Sequence, residues 1–132
     1  MQKLFDEIHH AYLEMTSFFI TSATPDNQGG IWFSTWLWGA IYFDGETYEY
    51  LSLQGPQVGN PQYWDDILDI GIDQNGTVWF ATVDGIASYD GLQITKYSGS
   101  PTEALAIAIA SDNTVWVGTK RDGIAHFTGR DH

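Results

Sequence analysis

The chain has no cysteine among its 132 residues. Disulfides, thiolate metal sites and a cysteine nucleophile are therefore excluded. Positive charge is scarce as well: Lys and Arg number 5 against 17 Asp and Glu, the formal net charge is −12, and no basic residue lies between Lys3 and Lys96. Nucleic acid, sulfated polymers and anionic membranes all need a basic footprint, so none of these is an expected partner. No apolar run is long enough to cross a bilayer. The first ten residues are polar and no apolar signal segment follows them, so a cytoplasmic location is expected, the alternative being a domain excised from a larger exported protein. Loops of EF-hand spacing, phosphate loops, Gly-x-Ser-x-Gly and His-Glu-x-x-His are all missing. No catalytic set, metal or cofactor is assigned on that basis. Cations, neutral ligands and proteins remain as partners.

What the chain does have is self-similarity. One copy runs from Asp26 through Gly30-Ile31-Trp32-Phe33 to Thr35, then Gly39-Ala40-Ile41-Tyr42-Phe43-Asp44-Gly45. A second runs from Asp73 through Thr77-Val78-Trp79-Phe80 to Thr82, then Gly85-Ile86-Ala87-Ser88-Tyr89-Asp90-Gly91. A third runs from Ser111 through Thr114-Val115-Trp116-Val117 to Thr119, then Gly123-Ile124-Ala125-His126-Phe127. The aligned tryptophans, Trp32, Trp79 and Trp116, stand 47 and 37 residues apart. A period near 40 made of short β-branched and aromatic runs, each closed by Asn-Gly or Asp-Gly turns, indicates propeller blades. Ile67 to Asp73 and Ala104 to Ala110 read as inner strands, and Tyr48 to Leu53 and Ile94 to Tyr97 as outer strands. The expected fold is all-β: a single domain over residues 1–132, built of antiparallel four-stranded blades with units near 18–53, 67–97 and 104–129, the third lacking its own outer strand.

The pattern Asp-x-x-Gly-x-hydrophobic-Trp-hydrophobic-x-Thr, followed by Gly-Ile-x-x-aromatic-Asp-Gly, resembles the two-component regulator propeller repeat over roughly residues 18 to 129. Streptogramin lyases carry related blades. The resemblance implies a propeller fold and a sensor-type, non-catalytic binding role. It leaves open a purely structural ring, or a lyase or hydrolase using His10 or His126.

A ring of three blades does not close, since propellers use about four to eight. Two chains would supply six blades and leave no free edge, so a C2 homodimer closed by swapped strands is expected. Residues 1–17 are read as taking part in closure, either through a strand at Gln2 to Phe5 or through a helix with Phe5, Ile8, Tyr12 and Met15 on one face.

Candidate binding residues are those the repeat does not require. Trp36-Leu37-Trp38 replaces the polar links Val83-Asp84 and Lys120-Arg121-Asp122 of the other copies. Tyr63, Trp64, Asp65 and Asp66 end an insertion peculiar to the first unit. In a propeller both places fall on one face, around the channel mouth. Trp36, Trp38, Tyr63 and Trp64, flanked by Asp65 and Asp66, are expected to bind a small polar, carbohydrate or cationic ligand, the alternative being that these bulky residues pack at a dimer contact or between blades. Lys120 and Arg121 face the same mouth, either neutralising acidic neighbours or holding an anion. Trp32, Trp79 and Trp116 are assigned to blade packing, and Asp26, Asp44, Asp73, Asp90 and Asp112 to turns. His9 and His10 are adjacent and cannot share one ion.

Overall fold

The computed structural model describes residues 19–54, 64–97 and 99–127. The alternatives posed for residues 1–17, and Tyr63, lie outside them. The described residues form eleven strands in three antiparallel sheets and no helix. Blade one is β1 (Ile20–Pro25), β2 (Ile31–Thr35), β3 (Ala40–Phe43) and β4 (Tyr48–Leu51), paired in sequence order. Blade two repeats that order with β5 (Ile67–Ile72), β6 (Val78–Thr82), β7 (Gly85–Tyr89) and β8 (Ile94–Tyr97). Blade three has β9 (Ala104–Ile109), β10 (Val115–Thr119) and β11 (Ile124–Phe127).

The registers show why the repeat has its residues. Trp32 pairs with Tyr42, Trp79 with Ser88 and Trp116 with His126, so the three units correspond residue for residue. The threonine ending each second strand makes the turn after it. The hydroxyls of Thr35, Thr82 and Thr119 donate to the carbonyls of Gly39, Gly85 and Gly123 at 2.8, 2.8 and 2.9 Å. They accept in turn from the amides of Trp38, Asp84 and Asp122. The three glycines have φ of +78°, +139° and +74°, a region that side chains disfavour. Asp26 and Asp73 each accept two amides of the turn after the inner strand, and Asp44 and Asp90 do the same after the third strand. The turn assignment of these acids holds. The pairing of each inner strand is irregular near its start, at Ile20/Ser22, at Ile67/Asp69 and opposite Gly118/Thr119. Such irregularities bend a strand, and the inner strands of neighbouring blades belong to separate sheets.

Burial is between blades. One apolar cluster joins Trp32, Ala40 and Leu53 of blade one to Ile67, Ile70, Val78, Phe80 and Ala87 of blade two. A second joins Trp79, Ala81 and Ile86 to Ala104, Ile107, Val115 and Val117 of blade three. Each blade thus sets its tryptophan face against the next blade's opposite face. Trp116 departs from the expected packing role. It is 42% exposed where Trp32 and Trp79 are 8% and 5% exposed, because no further blade stands against it among the described residues. Ile124 on the same face is 76% exposed.

Candidate functional site

The links between second and third strands, and those leading into inner strands, gather at one end of the sheets. Backbone hydrogen bonds stitch this end the same way in every blade. The amides of Trp36, Val83 and Lys120 donate to the carbonyls of Phe19, Asp66 and Glu103 at 2.8, 3.1 and 3.1 Å. Two more bonds cross between blades, from Gly39 N to Asp65 O at 3.0 Å and from Glu103 N to Val83 O at 2.7 Å. The loops expected at one end of the blades therefore form a hydrogen-bonded rim.

The sequence-adjacent carboxylates Asp65 and Asp66 do different work on this rim. Asp65 faces back along the chain. Its Oδ2 accepts from the Ser52 hydroxyl at 2.6 Å, and its Oδ1 from the Leu53 and Gln54 amides at 2.6 and 3.3 Å. It is the clasp of the loop after β4. Asp66 is 3% exposed, and the Leu37 backbone partly offsets the effect of its burial. Burial holds its carboxyl above the ordinary value, and the charges of Asp65 and Asp84 push the same way. Leu37 has φ of +82°, an unusual conformation for a leucine. The same loop carries Trp36 and Trp38 outward, 39% and 46% exposed.

The remaining expected residues are spread along the rim. Trp64 is half-buried against the blade one–two core, beside the backbone of Gly85, and the Lys96 ammonium lies 5.4 Å from its ring centroid. Lys120 Nζ and Arg121 Nε approach Glu103 at 3.9 and 3.7 Å, with side chains largely exposed. Such pairs contribute little stability and leave the rim's charge partly compensated. His126 is at a strand position, stacked on Trp116 with centroids 4.5 Å apart, and not in the rim loops. Among the described residues, no group of three His, Asp or Glu is placed to hold a metal ion.

The opposite end holds a feature not anticipated from the sequence. Between blades one and two, Trp32 and Tyr42 lie with centroids 4.9 Å apart, and Tyr89 meets Trp32 edge-on at 6.1 Å. Tyr42 Oη donates to Asp26 Oδ2 at 2.6 Å. That bond is the main cause that pushes the Tyr42 phenol up to about 12 and holds Asp26 below the usual carboxylate range. A Cβ on Gly30 would overlap the Tyr42 ring, so the glycine makes room for the tyrosine. The signal was present in the repeat: Gly30 and Tyr42 stand where blade two has Thr77 and Ser88.

No protein-family model matches the sequence, and no curated protein matches it. Solved structures do. The extracellular domain of a hybrid two component system from B. thetaiotaomicron aligns with 87% of this chain at TM-score 0.67 and 18% identity. A catalytically inactive virginiamycin B lyase from Staphylococcus aureus, solved with Quinupristin, aligns with 85% at TM-score 0.60 and 18% identity. This chain spans 16% and 42% of the lengths of those two proteins. The resemblance to two-component regulator propellers and streptogramin-lyase blades is thus met among solved structures, and it establishes the propeller-blade fold.

Proposed function

We propose that the chain is a non-catalytic binding module of the sensor-propeller kind, with its ligand at the rim that carries Trp36 and Trp38. One observation carries this reading. Two large aromatic side chains are displayed from a loop that the blade repeat does not need, on either side of a leucine in the left-handed region. Exposed ring faces stack on sugars and on other polar ligands with apolar faces, and an acidic rim favours neutral or cationic ones. The likeness to an extracellular two-component domain is compatible with this role. Intrinsic tryptophan fluorescence, titrated with a panel of oligosaccharides and organic cations, tests the reading. A saturable change that disappears in the Trp36→Ala/Trp38→Ala double variant is the expected result. Binding that survives in the double variant would place the ligand elsewhere.

We also propose that a second copy of the chain covers the Trp116 face, so that two three-blade chains form a six-bladed ring. The support is repetition: the equivalent faces bearing Trp32 and Trp79 are both covered by the next blade. Phe33, the half-buried counterpart of Phe80, is the residue of the second copy that the repeat sets against Trp116. Apolar faces of this kind on soluble proteins mark association surfaces.

A further inference from the structure

The groove between blades one and two, at the end opposite the rim, has no part in that reading. It contains two recesses of about 180 and 350 Å³ that share Trp32, Tyr42 and Tyr89 as walls. Asp26 and Asp90 border the smaller recess and Glu49 the larger. The geometry points to this groove as a binding site for a small methylated ammonium ion, and four observations lead there.

The walls are aromatic, and ring faces attract cations. The border is anionic: none of the described basic residues, Lys96, Lys120 and Arg121, lines either recess. One bordering carboxylate, shared with the tyrosine wall, offers charge with few free acceptor sites. Asp26 already accepts from the Gln28 and Gly30 amides at 2.8 and 2.9 Å and from the Tyr42 hydroxyl at 2.6 Å. A metal ion or a primary ammonium needs free oxygen lone pairs, whereas a methylated ammonium needs a negative potential and ring faces. Finally, the next interface is filled differently. At the next interface Tyr97 stacks flat on Trp79, with centroids 5.4 Å apart, and its hydroxyl meets Ser88 Oγ at 2.8 Å. Blade one has Leu51 at the position of Tyr97, and Leu51 lines the larger recess.

Isothermal titration of the whole chain with tetramethylammonium at low ionic strength, beside its neutral near-isostere tert-butanol, tests the site. Saturable heat for tetramethylammonium and none for tert-butanol is expected. Affinity should fall about tenfold in Tyr89→Leu, which removes a ring, and about threefold in Glu49→Gln, an exposed position that leaves the fold intact. It should also weaken as salt screens the carboxylates. The Trp36→Ala/Trp38→Ala variant should bind unchanged, which separates this site from the rim. Equal heats for tert-butanol would make the groove a mere apolar crevice and overturn the proposal. So would absence of saturable tetramethylammonium binding to the wild type, or unchanged affinity in Glu49→Gln.

Discussion

The two blade interfaces occupy the same place in the repeat and are built differently. Both need an aromatic ring beside the repeat tryptophan. At the first interface Tyr42 supplies it from the third strand, and at the second Tyr97 supplies it from the outer strand. The consequences spread outward. Tyr42 requires glycine at position 30 and ties its hydroxyl to Asp26, whereas Ser88 tolerates Thr77 and leaves Asp73 to accept from Trp79 Nε1 at 3.0 Å. The inner strands are also joined in opposite senses. Thr21 and Thr24 donate hydroxyls to the carbonyls of Ile67 and Ile70 at the first interface, while Asp69 accepts the Ile107 amide at the second. The propeller thus fixes a slot to be filled and leaves its filling free. Where filling comes from the third strand, a groove remains.

Substitutions can break this comparison. The largest effect is expected from Phe80→Ala, which empties a fully buried position of the first interface. Chemical denaturation should show a loss of about 3–5 kcal/mol, while Trp116→Ala on the exposed face should cost the isolated chain far less. Next is Gly30→Thr, which gives blade one the threonine of blade two without its serine. Overpacking against Tyr42 should cost about 1–3 kcal/mol, and adding Tyr42→Ser should restore most of it. No recovery in the double variant would mean that Gly30 serves something other than the tyrosine.

Asp69→Ala removes the acceptor for the Ile107 amide and should cost about 1–3 kcal/mol. Faster amide exchange in β9 than in β5 would locate that loss at the second interface. Tyr42→Phe should cost about 1 kcal/mol at neutral pH, with a defined pH signature. The phenol's folded pKa lies above its ordinary value, so its contribution is complete below pH 10.0 and is lost as pH rises toward about 12. Asp26, held low, contributes above its ordinary value of 3.8, and that part is lost as pH falls through its lowered folded pKa. Stability curves of wild type and Tyr42→Phe should therefore converge at both extremes. The smallest effect is expected from Lys120→Ala and Arg121→Ala, each within about 0.5 kcal/mol by thermal melting.

Much of the fold was legible because it is repeated. The aligned tryptophans, the terminal threonines and the Asp-Gly turns each recur for a backbone reason, so spacing alone places strands and links. The end of the molecule carrying Trp36, Trp38, Asp65 and Asp66 follows from the same topology. Their individual roles do not, because adjacency in sequence says nothing of direction: Asp65 turns to Leu53 while Asp66 lies buried under Leu37. Trp116 stands exposed for a related reason. A repeat position states which face a residue takes, and whether that face is covered depends on the neighbour packed against it. The Tyr42–Asp26 pair was readable in principle, since Gly30 and Tyr42 both depart from the second copy.

The third copy of the tryptophan face, exposed among the described residues, bears most directly on the proposed closure of a ring. Its sharpest test is the solution mass by light scattering, for the wild-type chain and for Trp116→Arg, which keeps the strand and places a charge on the face. Closure by a second copy predicts twice 14.8 kDa for the wild type and 14.8 kDa for the variant, with both folded by circular dichroism. A wild-type chain that is folded and monomeric at every concentration would contradict it.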